Sequence, residues 1–271
     1  MRNDLFGVRQ LAGALSFGPT AKRWQASALQ IVIAVFFLGC SPKESPRLRI
    51  LCGSSMAAPM QELAPQFTRE TGIAMEFDLG GSETLLPKIL AGTPADIYVC
   101  HDPFEEKVKT AQRWASSVLV GYLQPVVTVR PGNPKQIRSL ADLQRADLKL
   151  GLGDPRYSTC GELFVQALQQ RGVHDAVMKQ VVLQARSTTD VANGLTVGPL
   201  DVAVLWNFSL NLYTGKLEQV TMDVELPAVR VTVVGLTGSP TPRGRDTFLK
   251  WCDRPAVVET FRRHGYVRRQ P

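Results

Sequence analysis

The 271-residue chain is expected to be an α/β protein made of two lobes joined by two chain crossovers. Three observations lead there. Short apolar segments alternate with amphipathic ones from Leu48 onward, clusters of Gly and Ser stand where apolar segments end, and a late β-branched segment can return the chain to its first region.

Taken in order, residues 48–52 read as a buried strand and residues 57–71 as a helix, with Met60, Leu63, Ala64 and Phe67 on one face before Gly72 stops it. Pro59 suits a first turn, whereas Pro65 is expected to kink the helix. Residues 73–79 make the second strand, 85–90 the second helix, 96–100 the third strand and 104–111 a further helix. The β-branched run 118–129 ends at Arg130-Pro131-Gly132-Asn133-Pro134, a turn cluster that opens a second region. There, 139–143, 148–152, 181–185 and 202–206 continue the alternation, with a helix over 162–170 and a short one from Asp190. Residues 229–236 read as the returning strand, followed by helices over 245–251 and 256–264. The expected lobes are 48–126 with 231–271, and 127–230.

A hydrophobic content of 44% permits a substantial core. The net charge of +7 is scattered and forms no basic run interleaved with aromatics, which argues against nucleic acid as a partner. Lys22-Arg23 precede an apolar stretch over 26–38, too short to span a membrane comfortably and suited to an export signal over 1–39. Phe37-Leu38-Gly39-Cys40-Ser41-Pro42 resembles the lipobox of bacterial lipoproteins, which implies a lipidated Cys40 as mature N-terminus and a short tether over 40–47; an uncleaved anchor is the alternative. Besides Cys40 there are Cys52, Cys100, Cys160 and Cys252, without C-x-x-C or Cys/His metal spacing, so no thiolate metal site and no cofactor are expected. Cys52 and Cys100 end neighbouring strands, which leaves a disulfide open, although buried free thiols are the expectation.

Cys52-Gly53-Ser54-Ser55 and Gly80-Gly81-Ser82-Glu83-Thr84 each mark a strand-to-helix handover, where free backbone N–H groups and hydroxyls are offered together to an anion. Helix capping accounts equally well for these serines. Together with Pro94-Ala95-Asp96, Gly153-Asp154-Pro155, Asp190-Val191, Asp201-Val202-Ala203 and the closing 261–266 segment, they resemble the periplasmic molybdate-binding proteins of ABC importers over roughly residues 48–267. The resemblance implies a type II periplasmic binding fold and a non-enzymatic role: capturing molybdate or tungstate for a permease in the cytoplasmic membrane, with a monomer as the expected state. It assigns oxyanion ligands to the Ser55 and Ser82 hydroxyls, to backbone amides at Cys160 and Val191, and to position 206, where Trp206 replaces the family's usual Tyr. An indole N–H can also donate, so Trp206 either caps the pocket, donates to the anion or fills core. Sulfate or phosphate is the alternative ligand. An exported thiol hydrolase using Cys160 is the alternative of a different class, and a surface sensor a third.

Overall fold

The computed structural model describes residues 47–267, so the expected export signal over 1–39 and the expected lipidation site Cys40 lie outside the described residues. From its start the described chain builds β1 (Arg47–Gly53), a 3₁₀ turn (Ser54–Met56), α1 (Ala57–Thr71), β2 (Ala74–Gly80), α2 (Ser82–Leu90), β3 (Ile97–His101), α3 (Phe104–Thr110) and β4 (Trp114–Leu123). It continues through β5 (Pro125–Val129), β6 (Leu150–Gly153), α4 (Thr159–Gln170), α5 (His174–Met178), β7 (Val181–Ala185), α6 (Thr188–Thr196), β8 (Val202–Trp206), α7 (Ser209–Leu212) and β9 (Glu218–Gln219). It closes with β10 (Val229–Leu236), α8 (Pro242–Cys252) and α9 (Pro255–Arg263).

Among the described residues the strands form two five-stranded sheets, ordered β2-β1-β3-β10-β4 and β7-β6-β8-β5-β9. The two follow one plan: the first three strands pair in parallel and the last two join by antiparallel pairing. The helices follow the parallel strands, which explains the near-continuous apolar character of β1, β3, β6 and β8, whose residues are buried almost throughout.

The β-branched run 118–129, read from the sequence as one stretch, is divided by a single residue. Leu123 pairs with Val229 in the first sheet, whereas Pro125 pairs with Trp206 in the second, so the chain changes sheets at Gln124. It returns over residues 220–228, which puts Val229 and Arg230 in the first sheet and Val126 in the second. Side-chain amides tie these crossings together. The Gln124 N–H donates to Asn207 Oδ1 (3.1 Å), the Asn207 N–H donates to the Gln124 carbonyl (2.9 Å), and Gln124 Nε2 donates to the Leu226 carbonyl (2.9 Å). Residues 139–143, expected to continue the alternation, form no strand.

Two aspartates, one buried and one half-buried, hold strand register. Asp96, fully buried before β3, accepts from the Arg49 N–H (2.8 Å), the Ser239 hydroxyl (2.5 Å) and the Thr241 N–H (2.8 Å), joining β1 to the start of α8. Asp201, before β8, accepts from the Lys149 N–H at 3.0 Å. Phe67, Phe248 and Trp251 pack edge-on or stacked, with centroids 4.9–6.2 Å apart, and seat α1 against α8. Cys52 and Cys100 are free and buried, with no disulfide between them; burial pushes the Cys52 thiol up to about 12.

Asp96→Ala strands three donors, two of them backbone, and is expected to lower unfolding free energy by roughly 3 kcal/mol. Asp201→Ala is expected to cost about 1 kcal/mol, because fewer donors lose their acceptor. Urea midpoints for the two variants check the ranking; equal midpoints would contradict it.

Candidate functional site

The C-terminal ends of the parallel strands in both sheets open onto one cleft of about 900 Å³. Its first wall is the Gly53–Ser55 turn, the start of α2 at Gly81–Thr84, and His101 at the end of β3. Facing it are Tyr157–Thr159 at the start of α4, Arg186–Thr189 at the start of α6, and Trp206 at the end of β8. The position is the one at which open α/β sheets present their ligands.

A helix start has N–H groups with no carbonyl four residues back. Here the N–H groups of Ser54, Ser55, Ser82, Glu83, Thr159, Cys160 and Thr188 meet no acceptor among the described residues. Helix dipoles add partial positive charge at α2, α4 and α6.

Capping does not explain Ser55 and Ser82. Neither the 3₁₀ turn nor α1 nor α2 has a side-chain cap, and the two serine hydroxyls make no hydrogen bond among the described residues. Ser158 and Ser187, by contrast, are caps: they accept from the N–H groups of Gly161 (3.5 Å) and Thr189 (3.1 Å). What fixes the first two serines is a phenol on each carbonyl. Tyr98 Oη donates to the Ser82 carbonyl at 2.9 Å, and Tyr266 Oη donates to the Ser55 carbonyl. Burial pushes both phenols up, so they remain protonated donors. Gly53 permits the close approach of the two turns, since a Cβ there would lie 2.9 Å from Ser82 Oγ. Gly161 has a comparable role in the other wall, where a Cβ would collide with the Gly153 carbonyl.

Trp206 is only 3% exposed, yet its indole N–H meets no acceptor among the described residues. The indoles of Trp114 and Trp251 donate to Glu105 (3.2 Å) and Glu70 (2.8 Å). No fully inaccessible side-chain N or O among the described residues lacks a partner, so the Trp206 N–H keeps some access, and Trp206 lines the cleft. Trp206 thus belongs to the core cluster and to the cleft wall, and its indole N–H has no acceptor among the described residues.

Cys160 and Val191 are fully buried and line no part of the cleft; their neighbours Thr159 and Thr189 do. The Cys160 N–H is among those without an acceptor, whereas the Val191 N–H donates to the Ser187 carbonyl at 3.4 Å. Burial raises the Cys160 thiol, the opposite of an activated nucleophile. Sequence reasoning did not bring His101, Tyr98 or Tyr266 to the site. Arg186, stacked 4.0 Å over the Tyr157 ring, also lines the cleft. No cluster of metal-ligating side chains occurs among the described residues.

The arrangement places unpartnered hydrogen-bond donors on both walls of one cleft between two lobes, in the type II periplasmic binding fold. The chain belongs to the bacterial extracellular solute-binding protein family, whose model matches residues 48–267. It is similar to the molybdate-binding protein ModA of Escherichia coli, with 24% identity over 266 residues, covering 91% of this chain and 99% of that one. The fold is shared with the Azotobacter vinelandii periplasmic molybdate-binding protein (TM-score 0.69, 17% identity, 82% of this chain and 100% of that chain). It is shared equally with the sulfate-binding protein SubI of Mycobacterium tuberculosis (TM-score 0.69, 17% identity, 82% and 86%).

Because their hydroxyls bond to nothing among the described residues, Ser55→Ala and Ser82→Ala are expected to change stability by less than about 0.5 kcal/mol. Ser158→Ala is expected to cost about 1 kcal/mol as a lost cap. Thermal unfolding of the unliganded variants checks this, and a large loss in either cleft serine would restore a structural role to it.

Proposed function

We propose that the protein captures molybdate or tungstate outside the cytoplasmic membrane and hands it to an ABC permease. The observation that carries the reading is the set of unpartnered donors in the cleft: the hydroxyls of Ser55 and Ser82, the indole N–H of Trp206, and the helix-start amides that include Cys160. A tetrahedral oxyanion needs donors converging from several directions, and neutral dipoles suffice to hold its charge. Val191 joins the ligand set when the lobes close by exchanging its 3.4 Å bond to the Ser187 carbonyl for one to the anion. Closure takes place about the crossings at Gln124 and 220–228, between lobes that follow the two sheets, and the closed single-chain form is what the permease reads. The protein catalyses no reaction.

A second oxyanion reading, sulfate or phosphate, draws its support from Trp206. An indole reaches the anion from a bulkier ring than a phenol, so the anion it favours can differ from that of a Tyr-bearing relative. Export with lipidation at Cys40 places the protein on the membrane beside its permease, since a diacylglyceryl group supplies the two chains stable anchoring needs.

Each serine variant loses a charge-assisted hydrogen bond worth roughly 1.5–3 kcal/mol, so Ser55→Ala and Ser82→Ala are expected to weaken anion binding about tenfold or more. Trp206→Phe is expected to weaken it in the same direction, and Trp206→Tyr to alter the order of preference. Calorimetric titration of the four variants with molybdate, tungstate and sulfate tests this, and undiminished affinity in both serine variants would refute the proposed site. Cys40→Ala is expected to shift the protein from the membrane to the soluble fraction or leave it unprocessed; unchanged fractionation and mass would rule out the anchor.

A further inference from the structure

The cleft also contains a group of the opposite hydrogen-bonding sense. His101 ends β3, is 7% exposed, and has its ring held between Phe104 (centroids 5.4 Å apart) and Trp206 (5.6 Å). Its Nδ1 lies 2.7 Å from the Asp102 carbonyl. A carbonyl only accepts, so Nδ1 carries the hydrogen and Nε2, in the neutral ring, is a bare lone pair. Nε2 has no partner among the described residues, where every fully inaccessible side-chain nitrogen or oxygen does have one. Nε2 therefore keeps some access, and His101 lines the cleft.

A lone pair facing a fully deprotonated oxyanion is repulsive, and it becomes a charge-assisted donor only when a proton lies between them. We propose that His101 is a selectivity element of the cleft: a proton bridges its Nε2 to one oxygen of the bound anion. A dianion such as molybdate recruits that proton from solvent, whereas an anion that carries its own proton, such as hydrogen phosphate, brings it. The inference rests on the oxyanion reading of the cleft.

The surroundings keep the ring neutral until a ligand arrives. Burial lowers the affinity of His101 for a proton below that of a free imidazole, and the Asp102 carbonyl only partly offsets this. The Asp102 carboxylate accepts from the Arg230 N–H (3.1 Å) at the edge of β10. On α3, Glu105 is paired with Lys109 and Arg230. Cys100 on the same strand is held neutral by burial, as is Tyr266 on the same wall of the cleft. Arg263 and His264 of the cleft are bound to Glu62, Glu83 is exposed on the same wall, and Arg186 on the facing wall is stacked over the Tyr157 ring. None of these groups is within bonding distance of Nε2, so the anion itself is the partner that can raise its proton affinity.

The sign follows from linkage. If the His101 pKa is low in the free protein and raised in the complex, binding of a dianion takes up protons, and affinity falls as pH rises between those two values, by up to about tenfold per pH unit. His101→Gln replaces the lone pair with an amide that can donate at any pH.

The test is calorimetric titration of the wild type and His101→Gln with molybdate between pH 5 and 9, in buffers of different ionisation enthalpy. The expected result is a wild-type affinity that declines with pH, with uptake of about one proton, and a His101→Gln affinity that is flat with no uptake. Binding with a flat wild-type profile and no uptake overturns the role of His101 and leaves the oxyanion reading standing. The same pH dependence in His101→Gln assigns the proton to another group and likewise overturns it. Absence of binding by molybdate, tungstate, sulfate and phosphate at every pH overturns both.

Discussion

Backbone N–H groups at the start of a helix cannot be satisfied by the helix itself, and this fold aims several such starts at one place. Each sheet runs parallel strands toward the cleft and follows them with helices, so α2, α4 and α6 begin on its walls. Everything else at the site follows from what is done with those groups. Serines at 158 and 187 satisfy part of the second wall internally, while Ser55 and Ser82 leave both amide and hydroxyl to an incoming ligand. In the proposed oxyanion reading these donors face one anion from both walls.

The donors are useful only if they stay in place, and their supports come from distant parts of the chain. Tyr98 reaches the Ser82 carbonyl from sixteen residues away, whereas Tyr266 reaches the Ser55 carbonyl from 211 residues away, so the C-terminal segment completes a turn made near the N-terminal edge of the fold. Asp96 sets β1 against β3 through backbone donors, and Gln124 with Asn207 ties the crossing next to Trp206. The half-buried Gln124 and the buried Asn207 also explain why one residue suffices to move the chain between sheets. The Gln124 N–H donates to the Asn207 side chain, the Gln124 carbonyl accepts from the Asn207 N–H, and the Asn207 carbonyl accepts from the Leu210 N–H.

Much of this was legible in the sequence, for physical reasons that differ from element to element. The strand at Leu48 and the helix up to Gly72 were readable because apolar spacing and a left-handed glycine are local signals, and Gly72 indeed adopts φ 72°. Ser55 and Ser82 stood out because Gly-Ser clusters after a strand are local too. The division of the 118–129 run was not readable, since residues on both sides of Gln124 are equally apolar and only partner strands distinguish them. The offset between Cys160 and the cleft-lining Thr159 was hidden because it depends on how α4 is turned about its axis, which Gly161 against Gly153 determines. His101 reads as an ordinary strand end until the carbonyl on its Nδ1 shows which nitrogen is bare.

The central claim is that the unpartnered donors of the two walls hold one oxyanion between them. Crystals of the protein grown with tungstate, with anomalous scattering from tungsten used to locate the anion, test this most directly. A single tungsten site in the cleft is predicted, its oxygens about 2.7–3.2 Å from Ser55 Oγ, Ser82 Oγ and Trp206 Nε1. A tungstate bound away from these three side chains, or a cleft that remains without tungsten at saturating concentration, would contradict the account.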